Sequence, residues 1–521
     1  MAERVVILLI LAFLAPILTL ASSSLHQDDQ PVLLTTNESA LEAASHDFGL
    51  QTQIKPKAVL YPASVKDIAL LVKQANKGSG RRSFFVSARG RGHSVNGQTM
   101  TSKGVVVDMT RTYNKILNES DKYWPKVNVE GKYVDVWGGE LWIDVLLGTL
   151  KFGLAPKTWT DYLYLTVGGT LSNAGMSGHT YNNGPQIVNV LELEVVTGKG
   201  EIVTCSREKN SELFYGVLGG LGQFGIITRA RIPLEPAPER VKYIIVQYTD
   251  FSKFSKDQEY LISLHDKPSA ERFDYVGGFV TYNNSASDGS SGAVYNLEVA
   301  RNYVKSSANS INQEVEALLK NLEYIPNSES RKDLTYVEFL DRIHTNELVL
   351  RAKGQWVVPH PHLNLFIPKS KMAEFDQAVF NGVLKNNTNG GDILIYAVNR
   401  DKWEHEMSAV TPDADVFYAV SFLWSATNST SDEPNSVKYL TKINNQILHF
   451  LKKGQINAKE YLPYYTSVED WKAHFGPKKW DQFNKRKLQF DPKHILASGQ
   501  HIFNAVSFIK KEGQLDGEWL I

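Results

Sequence analysis

The chain has 521 residues, 42% hydrophobic and 21% charged. These are ordinary globular proportions, but the chain is too long for one hydrophobic core and implies two large domains. Lysine plus arginine and aspartate plus glutamate number 56 each, so the formal net charge is zero, which leaves no basic excess for a polyanion and argues against a nucleic-acid partner.

At the N-terminus, Arg4 precedes an apolar run from Val5 to Leu20, then Ala21, Ser22, Ser23 and Ser24. A positive start, a short apolar stretch and small residues predict a signal peptide over 1–23. The run falls short of the roughly 20 residues of a membrane span, so a retained anchor is the alternative and no stable anchor is expected. Secretion through the endoplasmic reticulum to the extracellular space is the predicted route, with the vacuole as another destination. N-x-S/T sequons accordingly begin at Asn37, Asn118, Asn283, Asn386 and Asn428. Cys205 is the single cysteine, so no internal disulfide forms. Its place beside a strand predicts buried filler, not a nucleophile.

Residues 24–53 read as a polar lead-in. From about 54, α/β alternation begins. Ser64 and Asp67 form a capping-box pattern that opens a helix through Ile68–Val72 and ends near Gly78. Strands are predicted over Ser83–Ala88, Gly104–Met109 and Tyr133–Val136, and an amphipathic helix over Glu140–Leu150. Leu191–Val196 and Glu201–Thr204 read as a hairpin around Thr197-Gly198-Lys199-Gly200, and Gly225–Ile232 as another strand. The texture changes at Pro233, Pro236 and Pro238, a predicted domain boundary. Beyond it, strands Phe273–Tyr282, Ile393–Val398 and Val416–Leu423 alternate with helical patterns near 308–322, 335–351, 369–381 and 434–453. After about 458, Tyr, Trp, Gly and Pro signals return.

Three glycine-rich stretches precede residue 230. They are Gly90-Arg91-Gly92-His93-Ser94, Val167-Gly168-Gly169-Thr170-Leu171-Ser172-Asn173-Ala174-Gly175 and Gly219-Gly220-Leu221-Gly222-Gln223-Phe224-Gly225. Glycines let main-chain N–H groups approach a ligand closely, and clustered N–H donors suit a diphosphate. None of the three is a Rossmann fingerprint or a Walker A loop. His93, between Gly92 and Ser94, has little bulk around it; from its chemistry alone it is either a turn hydrogen-bonder or a ligand contact.

The segment Ala88-Arg89-Gly90-Arg91-Gly92-His93-Ser94-Val95-Asn96-Gly97-Gln98 resembles the flavin-attachment loop of the cytokinin oxidase/dehydrogenases, a family of vanillyl-alcohol-oxidase-type flavoproteins. Trp159-Thr160-Asp161-Tyr162-Leu163, Thr166 to Gly175, Leu221 to Ile227, Pro359 to Phe366, Tyr461-Leu462-Pro463 and Gly499-Gln500 continue the resemblance from about 54 to 503. It implies an α+β, two-domain flavoprotein. A PCMH-type FAD-binding domain of two α/β subdomains would cover 54–235, and a substrate domain with a sheet covered by helices 236–457. Residues 458–521 would return to the FAD-binding domain.

By the same resemblance, FAD is bound covalently through its 8α-methyl to His93. It would lie along Ala88, Gly90, Arg91, Gly92, Ser94, Gln98, Asp161, Thr166, Ser172, Met176, Ile227, Tyr461, Ala497 and Gln500. The implied reaction cleaves N6-isoprenoid adenines such as isopentenyladenine and zeatin, with hydride passing to the flavin and a quinone or oxygen as acceptor. The implied protein is a monomer. Asp161 resembles the base that accepts the substrate N–H, and neighbouring aromatics would desolvate it. Asn364, Glu347, His362 and Gly277 fall at substrate-facing positions. Gly277 stands where the family usually has glutamate, His362 where it has tryptophan and Ala497 where it has serine. Gly277 removes a carboxylate contact, and His362 puts a smaller, titratable wall in place of a large apolar one. These departures predict altered substrate preference, with reduced activity as a further outcome, and not lost flavin binding. Two other readings stay open: a covalent-flavin oxidase of another small molecule, and a low-turnover cytokinin-binding flavoprotein. With Cys205 far from any glycine-rich loop, a second flavin bond through cysteine is disfavoured.

Overall fold

The computed structural model describes residues 33–78, 84–110, 125–283, 292–385, 391–427 and 433–503. The predicted signal peptide, the sequons at Asn118, Asn386 and Asn428, and the side chain of Asn283 lie outside the described residues. Asn37 is exposed and caps the helix Glu38–Ala44, its Oδ1 accepting from the Ser39 N–H at 2.9 Å.

Three smaller sheets and one large one organise the described residues, the smallest pairing Glu235–Pro236 with Leu154–Ala155. The first has the order Leu34–Thr35, Ala58–Leu60, Val105–Asp108, Val86–Arg89, its last three strands parallel. Val105, Val106 and Val107 are all buried, as a parallel strand covered on both faces requires. The helix Val65–Lys77 begins with the predicted Ser64/Asp67 capping box. It buries Ile68, Leu71, Val72 and Ala75 against Leu60, Val86 and Val107, each large aliphatic side chain contributing about 1.5–3 kcal/mol.

The second sheet runs Lys126–Asn128, Tyr133–Trp137, Gly225–Pro233, Glu192–Thr197, Ile202–Ser206, all antiparallel. The predicted hairpin and the helix Trp142–Leu150 are present. Cys205 is fully buried on the last strand, and burial pushes its thiol up to about 12, so it is inert filler.

The large sheet is antiparallel and eight-stranded. Its order is Ser330–Thr335, Arg240–Tyr248, Gly292–Tyr303, Tyr275–Asn283, Gly391–Asn399, Val416–Trp424, Leu363–Pro368, Lys459–Glu460. The strands Arg240–Tyr248, Gly292–Tyr303 and Leu363–Pro368 were not anticipated from the sequence. Helices including Phe251–Ser263, Ala308–Leu319 and Val437–Lys453 cover it through a second core containing Phe254, Ile262, Val315, Leu318, Leu440 and Ile447. The helix expected over 335–351 is two: Tyr336–Leu340, opened by a Thr335/Glu338 capping box, and Arg342–Ala352. The pattern near 369–381 becomes a short α turn followed by the π-helical stretch Asp376–Val383.

The two ends of the described chain hold more structure than the sequence indicates. The lead-in contributes a strand paired with Val59 and Leu60, and its helix buries Ala40, Leu41 and Ala44 on Val59 and Val106. After 458 the chain is mostly one long helix, Val468–Phe490, broken at Gly476 (φ 72°) ahead of Pro477. It then returns to the first sheet, where the Val86 N–H donates to Ile495 O at 2.8 Å and the Ala497 N–H to Val86 O at 3.1 Å. Among the described residues, no helix is long and apolar enough to cross a membrane, and no cluster of His, Cys, Asp or Glu is placed to hold a metal ion.

Candidate active site

The parallel strand Val86–Arg89 ends in the first glycine-rich loop, a usual position for a ligand crevice in α/β sheets. All three glycine-rich stretches and the returning C-terminal segment line one groove. Its wall includes Ala88, Gly90, Gln98, Thr166, Gly168, Ser172, Gly222, Ile227, Ala497 and Gln500, with no charged side chain. Glycines stand in it where a side chain would not fit. A Cβ on Gly90 would lie 2.1 Å from Thr166 Oγ1, and one on Gly168 2.9 Å from Gly138 O. Gln500 Oε1 is buried in this wall without a hydrogen-bond partner. A neutral, glycine-lined cleft with an unused buried acceptor fits a dinucleotide whose diphosphate is held by N–H groups. FAD fits these residues.

His93 does not line this groove; it lines a second cavity with Phe48, Arg91, Tyr162 and Trp356. Its ring stacks on Phe48 at 4.0 Å and 12°, and Tyr162 approaches it at 5.1 Å. Burial, reinforced by His360 and Arg91, pushes its imidazole down to about 3, so it is neutral at physiological pH. His362 sits in the same aromatic cluster, 5.3 Å from His360 and 5.8 Å from Phe48. Burial and the neighbouring histidines hold it well below the usual imidazole range.

Asp161 stands where the loop after Leu154–Ala155 meets the large sheet. Its Oδ1 accepts from Tyr275 Oη at 2.9 Å and from an Arg342 Nη at 3.0 Å, and its Oδ2 from Tyr396 Oη at 2.6 Å. Arg342 also donates to Tyr275 Oη at 2.8 Å. A carboxylate offers about four lone-pair positions. Three are filled by these donors, which leaves one on Oδ2. Tyr275 and Tyr396 come from strands of the large sheet and Arg342 from the second of the two short helices, so no local motif announces them.

Among the other predicted residues, Glu347 and Gly277 adjoin these two centres through Tyr162 and Tyr275. Tyr162 Oη donates to Glu347 Oε2 at 2.6 Å, while Arg351 Nε donates to Oε1 at 2.6 Å, so Glu347 holds Tyr162 in place. Asn364 O accepts from the Tyr461 N–H at 2.9 Å, and Tyr461 Oη accepts from the Gly175 N–H at 3.3 Å, next to buried Met176. Ser172 Oγ donates to Gly168 O at 2.7 Å. Gly277 lies opposite Glu298 in the sheet, and a Cβ there would lie 2.9 Å from Tyr275 Cε1 and 3.0 Å from its Oη. Any side chain at 277 thus presses on the tyrosine that holds Asp161. Arg91 is exposed, and Ser94 Oγ donates to Asp47 Oδ2 at 2.9 Å.

A glycine-lined groove on a small α/β unit, together with a large sheet that supplies a carboxylate's partners, is the arrangement of an FAD-binding oxidoreductase with a separate substrate part. Residues 56–206 match the family model for an FAD binding domain, and 238–503 match that described as cytokinin dehydrogenase 1, FAD and cytokinin binding. Cytokinin dehydrogenase 5 of Arabidopsis thaliana is 53% identical over 90% of this chain and 88% of its own length. Cytokinin dehydrogenase 5 of rice (Oryza sativa subsp. japonica) is 50% identical over 91% of each chain. The fold is also that of 6-hydroxy-D-nicotine oxidase from Arthrobacter nicotinovorans, with a TM-score of 0.64 at 18% identity over 90% of this chain and 97% of that one. The chain belongs to the cytokinin dehydrogenase family.

Proposed function

We propose that this cytokinin dehydrogenase holds FAD through a covalent bond from His93 to the 8α-methyl and uses Asp161 as the base toward the substrate amine. The enzyme oxidises the N6-isoprenoid side chain of cytokinins such as isopentenyladenine and zeatin, giving adenine and an unsaturated aldehyde. Bound FAD supplies a two-electron acceptor, and the protein supplies position and proton handling. Asp161 takes the exocyclic N–H on its remaining Oδ2 position, so the nitrogen lone pair can support loss of hydride from the adjacent carbon. Arg342, Tyr275 and Tyr396 fix the carboxylate in advance, so little reorganisation is needed when charge shifts. The observation that carries this reading is the carboxylate with three fixed donors and one open position, joined in sequence to the Tyr162 that flanks His93.

The remaining parts of the proposal are coarser. The FAD-binding unit spans 54–235, the substrate unit 236–457, and the chain returns from 458, a reading supported by the bonds of Ile495 and Ala497 to Val86. A secreted, glycosylated monomer passing electrons to a quinone or oxygen rests on the N-terminal pattern, the sequons and the family resemblance.

The test is a spectrum of acid-precipitated protein, followed by anaerobic addition of isopentenyladenine to the native form. Yellow colour should stay with the precipitate, vanish from it in His93→Ala, and bleach in the native enzyme on substrate addition. Flavin that washes out of the wild-type precipitate would overturn the covalent link. Attached flavin that does not bleach would favour the low-turnover binder.

A further inference from the structure

We propose that Asp47 and Phe48 position His93 for flavin attachment, acting from a strap that precedes the FAD-binding unit. The inference rests on His93 being the attachment residue.

The strap brackets His93 on both sides. The Phe48 N–H donates to Gly92 O at 2.8 Å, the Gly49 N–H to Ser94 O at 3.1 Å, and Gln51 Nε2 to Val95 O at 2.9 Å. Asp47 fixes the rest of the loop, its Oδ2 accepting from Ser94 Oγ at 2.9 Å and from the Gly97 N–H at 2.7 Å. This carboxylate is 4% exposed, and its Oδ1 has no hydrogen-bond partner. Burying a carboxylate is costly, and here its hydrogen bonds go to the loop that carries His93.

Phe48 sets the plane of the imidazole. Its ring is sandwiched between His93 at 4.0 Å and 12° and His360 at 4.0 Å and 10°. His360 is itself anchored, its ring nitrogens lying 3.1 Å from Trp424 O and 3.0 Å from Trp356 O. The His360 N–H donates to Gly49 O at 2.8 Å, tying the strap to the substrate part as well. With one face on Phe48 and Tyr162 tilted beside it, the ring can present only its edge. Attachment forms a bond from an imidazole nitrogen to the 8α carbon and removes one proton from each. The two electrons leave through the flavin to dioxygen, giving hydrogen peroxide. Such a reaction depends on the approach geometry of the nitrogen, and a misplacement of about 1 Å costs on the order of 100-fold.

The test uses full-length Phe48→Leu, Phe48→Tyr, Asp47→Asn and His93→Ala. Total FAD is read from the spectrum of native protein, and the covalent share from flavin fluorescence that stays with the denatured chain. Phe48→Leu and Asp47→Asn should still bind FAD but attach it at least about tenfold more slowly. Phe48→Tyr, which keeps the stack, should attach at the wild-type rate. Wild-type attachment in Phe48→Leu would overturn the inference, as would equal slowing in Phe48→Tyr or loss of all FAD from both Phe48 variants. Covalent flavin surviving in His93→Ala would instead overturn the assignment of His93.

Discussion

Asp161→Asn is expected to slow flavin reduction by isopentenyladenine by about 10²–10⁴-fold, the usual contribution of a positioned acid–base group, with FAD still bound. The asparagine keeps one acceptor oxygen for the surrounding donors but loses the charge and the basicity. Two of the three donors meet Oδ1 and one meets Oδ2. An amide oriented with its oxygen toward Arg342 therefore turns its NH₂ toward Tyr396 and the substrate nitrogen, where a donor meets a donor. Anaerobic stopped-flow reduction measures the effect directly, and the loss should fall on the limiting rate more than on substrate affinity. Arg342 also lies near buried Glu298, which accepts from Tyr243 Oη. Removing the Asp161 charge thus leaves the guanidinium one carboxylate neighbour, and Asp161→Asn should remain folded. A variant that reduces its flavin at the wild-type rate would remove Asp161 from the base role.

The fate of the sequence expectations follows from the range of the forces involved. The capping box at Ser64, the hairpin around Gly198 and the three glycine loops are written within a few residues of one another, and each appears in the fold. So does the groove they share, because glycine marks close backbone approach wherever it is required. His93 and Asp161 were singled out only through the resemblance of their motifs; a histidine between small residues or an aspartate between aromatics does not stand out alone. Arg342, Tyr275 and Tyr396 were missed because they meet Asp161 across 114 to 235 residues of chain. Phe48 was missed because it lies in a segment without periodicity, whose order comes from bonds to the His93 loop and not from its own propensity. The helix Val468–Phe490 was obscured by Gly476 and Pro477, residues that break a helical pattern and here mark its kink.

Lys487→Met is expected to destabilise the protein by about 3–5 kcal/mol, the cost of breaking a buried ion pair from one side. Lys487 is 1% exposed and Asp491 0%. The ammonium lies 2.8 Å from Asp491 Oδ2 and donates to Gln223 O and Oε1, both at 2.9 Å. Burial pushes it below the usual lysine range while Asp491 opposes that shift. Asp491 in turn accepts from the Ile495 N–H at 3.1 Å and the Leu496 N–H at 2.9 Å. The pair thus ties the third glycine loop, through Gln223, to the segment that lies beside Val86 and lines the cofactor groove. Methionine matches the volume of the lysine stem but leaves Asp491 charged and dry. The apparent melting midpoint at a fixed scan rate should fall, and the FAD incorporated per chain in the purified protein should fall with it as 495–500 loosens. Lys487→Met with Asp491→Asn should recover part of both losses, because the neutral amide still accepts one of the two N–H groups without an uncompensated charge. If the single variant melted with the wild type, or the double variant were no better than the single, the pair would be only an occupant of the interface and not what holds the C-terminal segment against the groove.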